Sequence, residues 1–245
     1  MPRFGALDDS PEATDIAAPK GGDPVQEIRF GEPRWPPVLA LLVFMGLNIG
    51  LRLWLPQDRL GDVPWLLPGI ELLLLIALLA ADPGSVASRA RRATLHRVVV
   101  VLVVLLVLGA LLVTALLIYH LITGAKVTQA PGPLLAAGAL VWLGNNLAFG
   151  MLYWLMDSGG PIMRARQSRP TDFAFTQQLS PELAPSGWRP VFLDYLHLGF
   201  TNATAFSPTD VMPLTHRAKY TMLLQSTVAL ALVGLVVARA VNAFT

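Results

Sequence analysis

Residues 98–122 read VVVVLVVLLVLGALLVTALLIYHLI. This run contains no Asp, Glu, Lys or Arg. A helix rises about 1.5 Å per residue, so about 20 consecutive apolar residues cross the hydrocarbon core of a bilayer. Backbone groups in that core must be hydrogen-bonded within the protein, and a helix achieves this by itself. The run therefore predicts a transmembrane helix, and with it a fold built in a membrane.

The composition of the whole chain is typical of an integral membrane protein. Hydrophobic residues make up 54% of the 245 residues and charged residues 14%, whereas soluble domains carry about 25% charged residues. Four more apolar segments are candidate spans, at 38–55, 64–81, 134–156 and 222–241. We expect an all-α integral membrane protein with about five transmembrane helices. The segment 64–81 is short and contains Pro68, so it could instead form a half-helix.

Several classes of function lack the residues that they need. The chain has no cysteine, which excludes disulfides and thiolate metal sites. Its net charge is only +2 and its basic residues are spread over short loops, so we expect no nucleic-acid partner. We find no zinc motif, no phosphate-binding glycine loop and no Ser-His-Asp order. We therefore expect no enzyme activity, no catalytic residues, no metal and no cofactor.

The chain divides into a tail and two membrane regions. Residues 1–35 are polar and rich in Pro, Gly and Asp, which predicts a disordered tail. Residues 36–130 form a three-span region, and residues 131–245 form a C-terminal module. Basic residues in short loops mark the cytoplasmic side, which predicts a cytoplasmic N-terminus, an outside C-terminus and a multi-pass protein of the inner (plasma) membrane. The basic residues that decide this are Arg89, Arg91, Arg92, Arg97, Arg164, Arg166 and Arg169.

The C-terminal module contains the most informative motif. Residues 194–242 read DYLHLGFTNATAFSPTDVMPLTHRAKYTMLLQSTVALALVGLVVARAVN. This stretch resembles the pore module of two-span bacterial potassium channels, whose pattern is approximately DxLYFSFVTLTTVGYGDIVPVT followed by a basic residue and an apolar helix. The matching positions are Asp194, Leu196, Phe200, Thr204, Asp210, Pro213, Thr215 and Lys219.

The resemblance implies an architecture for the C-terminal module. It implies an outer helix at 134–156, a linker at 157–190, a re-entrant helix and filter-like loop at 191–215, and an inner helix at 216–243. It also implies a homotetramer, because one such loop cannot enclose a pore. Charge counting places the re-entrant loop on the cytoplasmic side, opposite to the filter of potassium channels. Either the module is inverted or the count of spans is off by one.

A second resemblance covers residues 135–245. The pattern W-x-x-N-x-x-x-F-x-x-x-Y-W-x-x-D-x-G-G-P matches the chain from Trp142 to Pro161, and FTNATAFSPTD follows downstream. This looks like an uncharacterised family of bacterial membrane proteins with a domain of unknown function. The resemblance is consistent with the channel-like module but implies no substrate.

The filter-like loop departs from the potassium-channel pattern. A potassium filter uses rings of backbone carbonyls, and its glycines adopt angles that other residues adopt only at a cost. Proline has a fixed φ and no N–H, so a ladder of inward carbonyls is not expected here. We predict that monovalent cations pass instead along hydroxyls and a carboxylate; the alternative is a non-conducting scaffold or accessory subunit. The candidate loop consists of Thr204, Ala205, Phe206, Ser207, Pro208, Thr209 and Asp210.

Four polar residues fall inside the predicted spans. Glu71 is either a proton or cation site or a carboxylate that reaches the interface beside Pro64. Asn145, Asn146 and Gln225 are interpreted first as interhelical hydrogen-bonding groups.

Two further carboxylates flank or follow the predicted re-entrant helix. Asp194 is expected to cap its start. Asp210 either binds a cation or pairs with Arg217 or Lys219. Lipid is the expected surrounding of all the spans, and monovalent cations and identical subunits are the expected partners.

Overall fold

The fold is a bundle of long helices with one small ribbon at its end. A computed structural model describes residues 32–33, 35–54, 66–80, 89–123, 131–165, 169–205 and 210–244. The all-α prediction is confirmed for the bundle, and a short two-stranded ribbon is an addition to it. The main helices are α1 (Trp35–Trp54), α2 (Leu66–Ala80), α3 (Arg89–Thr123), α4 (Pro131–Met156), α7 (Phe192–Ala205) and α8 (His216–Phe244).

Three of the helices are long and apolar enough to cross a membrane. The apolar segments are Ala93–Thr123 in α3, Pro131–Gly159 in α4 with the turn that follows it, and His216–Asn242 in α8. The apolar parts of α1 and α2 are shorter, at Trp35–Gly50 and Pro68–Leu79. Length and composition therefore identify three candidate spans among the described residues, and the five-span topology stays a prediction.

Helix α4 is the central element of the bundle. Large side chains of α4 such as Phe149 and Tyr153 are fully buried. One apolar core joins α4 to α1, α2, α3 and α7, and a second joins it to α3 and α8. In lipid the hydrophobic effect does not hold helices together, so close packing and interhelical hydrogen bonds have to.

One end of the bundle collects charged side chains from several elements. Glu32, just before α1, lies beside Arg164, which follows α4. The ring of His96, near the start of α3, lies against Gly160. Arg217, at the start of α8, binds Asp172. We call this the charged end; α1, α3 and α8 begin there and α4 ends there.

The last residues before α1 contact the bundle, and the predicted disorder of the rest of the tail stays a prediction. The Glu32 carboxylate accepts hydrogen bonds from Arg164 Nη2 at 2.6 Å and from Trp154 Nε1 at 2.7 Å. Helix α1 then begins at Trp35. The composition of 1–35 gave no sign of this contact because its partners lie more than a hundred residues away. Residues 1–31 and 34 lie outside the described residues.

The predicted linker 157–190 contains secondary structure of its own. It holds 3₁₀ turns at Asp157–Gly159 and Pro181–Leu183, the short helices α5 (Pro161–Ala165) and α6 (Thr176–Leu179), and strand β1 (Phe173–Phe175). Strand β1 pairs antiparallel with β2 (Val211–Pro213), with Ala174 opposite Met212. The ribbon therefore ties the linker to the chain that returns before α8.

Helix α7 lies antiparallel to α4 and ends beside its middle. The rings of Phe192 and Trp154 lie 5.7 Å apart near the charged end, and those of Phe200 and Trp142 lie 5.5 Å apart deeper in the bundle. These two levels are separated by roughly 18 Å along α4. By Asp210 the chain is again beside the middle of α7, since Asp210 Oδ2 lies 3.5 Å from His197 Nε2.

Candidate functional site

A buried polar cluster joins α4, α7 and α8, and two residues predicted from the sequence meet in it. Gln225 Nε2 donates to Asn146 Oδ1 at 3.2 Å and to the Gly199 carbonyl at 3.0 Å. Gln225 Oε1 accepts from Tyr153 OH at 2.7 Å and from Asn202 Nδ2 at 2.8 Å. We call Asn146, Tyr153, Asn202 and Gln225 the inner cluster. The predicted interhelical role of Asn146 and Gln225 is confirmed.

Two more amide hydrogens of the inner cluster have partners. Asn202 Nδ2 donates to the Met222 carbonyl at 2.9 Å, and Asn146 Nδ2 donates to the Trp142 carbonyl at 2.9 Å. A polar cluster with these bonds fixes the relative positions of its helices, since each bond inside a membrane contributes about 0.6–2 kcal/mol. Sequence reasoning missed Tyr153 and Asn202, although Asn202 is a polar residue two positions before the matched Thr204.

Two glycines let α7 approach α4 at the level of the inner cluster. A Cβ on Gly150 would lie 3.2 Å from the Leu196 Cα. A Cβ on Gly199 would lie 3.3 Å from the Asn146 carbonyl oxygen. Small residues at such crossings allow backbones to come close, as membrane helix pairs often do. The crossing is what brings the Gly199 carbonyl within reach of Gln225.

Asn145 does not join the inner cluster, although it is the neighbour of Asn146. Successive residues on a helix point about 100° apart, so the two amides leave α4 in different directions. Asn145 Nδ2 donates to Thr114 Oγ1 at 2.6 Å, and Thr114 Oγ1 donates to the Ala110 carbonyl at 2.8 Å. Asn145 therefore bonds to α3 while Asn146 bonds towards α8.

Glu71 lies apart from the filter-like loop and from the inner cluster. It is fully buried in the bundle, and its two predicted roles stay predictions. Its Oε1 accepts from Asn48 Nδ2, which links α2 to α1. A carboxylate this deep needs polar partners because burying a charge in an apolar surrounding is costly.

The described part of the filter-like loop starts and ends beside α7. Thr204 and Ala205 are exposed at the end of α7, and Phe206, Ser207, Pro208 and Thr209 lie outside the described residues. Thr204 Oγ1 donates to the Phe200 carbonyl at 2.7 Å.

Asp210 closes this loop against α7. Its Oδ2 lies 3.5 Å from His197 Nε2, and its backbone carbonyl accepts from Thr176 N at 3.2 Å. The predicted alternative that pairs Asp210 with Arg217 is wrong, because Arg217 binds Asp172 instead.

One face of α7 carries polar groups away from the protein core. His197, Thr201 and Thr204 follow one another at spacings of four and three residues, which places them on one side of a helix. The His197 side chain is 60% exposed, and that of its partner Asp210 is 38% exposed. We call His197, Thr201, Thr204 and Asp210 the polar face.

Asp157 is the hydrogen-bonding centre of the charged end. The residue is fully buried. Its Oδ1 accepts from Thr171 Oγ1 at 2.8 Å, from Asp172 N at 2.7 Å and from Phe173 N at 3.4 Å. Its Oδ2 accepts from the Tyr195 hydroxyl. The carboxylate therefore joins the end of α4, the ribbon and α7.

The tight turn after Asp157 explains the glycines of the D-S-G-G-P sequence. Ser158, Gly159 and Gly160 have φ values of 55°, 80° and 93°. Two of these three left-handed positions are glycines, which adopt that region at little cost. Asp194 was expected to cap α7 from its start, but it lies inside the first turn of α7, and its Oδ2 accepts from the N–H of Val191, the residue before the helix, at 2.7 Å.

A second buried carboxylate anchors the start of α8. Asp172 Oδ1 accepts from Arg217 Nε and from Thr215 Oγ1, both at 2.6 Å. Burial alone raises the pKa of the Asp172 carboxyl. The hydrogen bonds from Arg217 and Thr215, the charge of Arg217 and the Ser158 N–H outweigh that effect and hold the pKa below its usual range.

The lowered pKa of Asp172 predicts a loss of stability in acid. The stabilisation is complete above the unfolded-state pKa of about 3.9 and disappears as pH falls through the lower folded-state pKa. We expect the difference in melting temperature between wild type and Asp172→Asn to be constant from neutral pH to about pH 5, and to shrink below about pH 4. Thermal melts in detergent measure this. A difference that persists unchanged to about pH 3 would argue against the assignment.

The described residues contain no group of three His, Asp or Glu side chains that could hold a metal ion. No protein-family model, curated protein or solved structure matches the chain. Function is therefore inferred from the positions of the side chains and from the two sequence resemblances.

Proposed function

We propose that this chain is one subunit of a homotetrameric membrane channel that passes monovalent cations past residues 204–210. The observation that carries the proposal is the position of α7. It packs on α4, bonds to α8 through the inner cluster, ends beside the middle of α4 and is followed by a returning chain. An outer helix, a re-entrant pore helix and an inner helix in this order are what the potassium-channel resemblance implies.

The polar face supports an axis lined by water. If the segment of α7 beside α4 is at membrane depth, His197 and Asp210 would otherwise face hydrocarbon. Ionisable groups at that depth almost always face a water-filled cavity or the interior of a bundle. Four copies arranged with their polar faces inward give these groups such a cavity.

The unequal burial of the long helices also supports an oligomer. Of the apolar stretch of α4, 67% is buried within one chain, whereas for α8 the share is 28%. An inner helix that lines a central axis is expected to contact neighbouring subunits as well as its own. The closed symmetry of most soluble homo-oligomers makes a ring of identical subunits the simplest arrangement.

The electrostatics of the polar face favour cations. The C-terminal end of a helix carries a partial negative charge, and α7 ends at Ala205. The Thr204 hydroxyl lies at this end of α7. The Asp210 carboxylate lies on the chain that returns after it. Hydroxyl and carboxylate oxygens can bind partly hydrated cations, so the rings of backbone carbonyls found in a potassium filter are not required.

The proposal includes a membrane topology. Helices α1 and α2 would serve as the two further spans, and the charged end would face the cytoplasm of a cell whose inner (plasma) membrane holds the protein. Arg164, Arg169 and Arg217 lie at that end, in agreement with the positive-inside rule. The polar face then opens towards the cytoplasm, so the pore module is inverted relative to potassium channels.

The alternative function is a non-conducting scaffold or accessory subunit that keeps the pore-module fold. The sequence feature that favours it is Ser207-Pro208-Thr209 in place of G-Y-G. Proline at the centre of the loop has a fixed φ and lacks a backbone N–H. These properties are compatible with a closed, non-conducting loop as well as with a wide, conducting one.

Single-channel recording in planar bilayers tests the proposal. We expect unitary cation currents from wild type and a fall of about tenfold or more in Asp210→Ala, because a ring of like charges concentrates counter-ions by about 10–1,000-fold. The matched control is Glu182→Ala, which removes an exposed carboxylate from the linker. Silence from protein shown to be tetrameric would reject conduction and favour the scaffold.

A further inference from the structure

We infer that a cavity between α1, α3 and α4 is a binding site for one water molecule. The cavity lies on the side of α4 away from the inner cluster and gives about 20 Å³ to the centre of a water-sized sphere. A single water needs about 10–15 Å³ on this measure. Two amides line the cavity, Asn48 from α1 and Asn145 from α4. The site is independent of the proposed pore.

One of these two amides has a buried acceptor without a partner. Asn48 Nδ2 donates to the Phe44 carbonyl and to Glu71 Oε1. Asn145 Nδ2 donates to Thr114 Oγ1. Asn145 is only 6% exposed, and its Oδ1 is buried with no hydrogen-bond partner among the described residues. Leaving a buried acceptor without a donor is costly, so a donor of the size of the cavity is required.

Water fits this chemistry better than a metal cation does. A water molecule has two hydrogens to donate, one for Asn145 Oδ1 and one for a second acceptor such as the Asn48 amide oxygen, which also belongs to a lining residue. Hard cations take about six oxygen ligands, and the rest of the lining is aliphatic, aromatic or glycine. Two neutral oxygens would leave an ion under-coordinated.

The bound water would complete a polar connection through four helices. It joins the Glu71–Asn48 contact of α2 and α1 to the Asn145–Thr114 contact of α4 and α3. Buried waters that satisfy such groups are part of a structure and are costly to remove. The N-terminal three helices are thereby held to the helix that also carries the inner cluster.

A substitution that fills the cavity tests the inference, because the direction of its effect on the melting temperature depends on whether a water is bound there. Val113 lines the cavity, and Val113→Ile adds one methyl group there. In wild type we expect this to expel the water and to lower the melting temperature by about 2–4 °C. In an Asn145→Ala background no donor is needed and the shorter side chain leaves empty space, so the same substitution fills part of that space and raises the melting temperature by a similar amount. The control is Val104→Ile on the exposed face of α3, which should change neither background.

Two results would overturn the inference. A rise in both backgrounds means that the cavity is dry, and a fall in both means that the added methyl group clashes with its surroundings. If Asn145→Ala does not fold, an experimental structure at about 2 Å resolution decides instead. Density within hydrogen-bond distance of Asn145 Oδ1 and Asn48 supports the water, and its absence from well-resolved side chains overturns it. These experiments measure thermal stability and electron density, so their outcome does not depend on whether the protein conducts ions.

Discussion

Asp157→Ala is expected to lower the free energy of unfolding by about 3–5 kcal/mol, which is the usual cost of removing one partner from a buried charged network. The substitution leaves the Tyr195 hydroxyl and the N–H of Asp172 buried without acceptors. It also removes a counter-charge from Arg164, whose Nη1 lies 3.9 Å from Asp157 Oδ2. Urea or thermal unfolding in detergent measures the loss.

The network around Asp157 also predicts a graded series. Asp157→Asn keeps the shape and one acceptor, so its cost should lie between that of Asp157→Ala and that of Tyr195→Phe, which removes a single donor. Glu182→Ala serves as the control because this carboxylate is exposed. Equal stability of Asp157→Ala and Glu182→Ala would mean that the charged end is not organised around Asp157.

Gly199→Leu is expected to separate α7 from α4. A Cβ at Gly199 already lies 3.3 Å from the Asn146 carbonyl oxygen and 3.6 Å from Gln225 Nε2, so a larger side chain cannot enter without backbone movement. Overpacking costs about 1–3 kcal/mol. Each hydrogen bond lost from the inner cluster adds about 1 kcal/mol. We expect a total loss of about 3–5 kcal/mol, measured by unfolding in detergent.

Gly234→Leu is the matched control for this prediction. Gly234 lies inside α8, and apart from the backbone of its own helix no atom of the described residues lies within 4 Å of a Cβ built on it. The same change of side chain should therefore be neutral or slightly stabilising there, since glycine weakens a helix interior. A similar loss of stability in both variants would show that the crossing of α4 and α7 is not the cause.

The long helices could be predicted from the sequence because their signal is local. The uncharged run at 98–122 lies within α3, and the predicted outer helix 134–156 and inner helix 216–243 lie within α4 and α8. The predicted re-entrant segment 191–215 contains α7 and β2. Hydropathy alone could not decide whether α1 and α2 span, because a 15-residue helix such as α2 fits both a short span and a buried helix.

The partners of the polar residues could not be predicted in the same way. Asn146 and Gln225 are polar residues in apolar helices, so an interhelical bond was expected for each, but their meeting depends on the crossing at Gly199. The bond between Arg217 and Asp172 depends on the fold of the linker, which carries no hydropathy signal. From the sequence, Arg217 could be considered only as one of two possible partners of Asp210, which is close to it in the chain.

The two adjacent asparagines of α4 restrict how this helix can move. Asn145 is bonded to α3 and Asn146 is bonded to Gln225 of α8, in directions about 100° apart. Rotation of α4 about its own axis, in either sense, would break at least one of these contacts. These two bonds therefore fix the rotation of α4 about its own axis. If the protein conducts as proposed, gating movements are expected in described parts that these two bonds do not hold, such as α8 beyond Gln225.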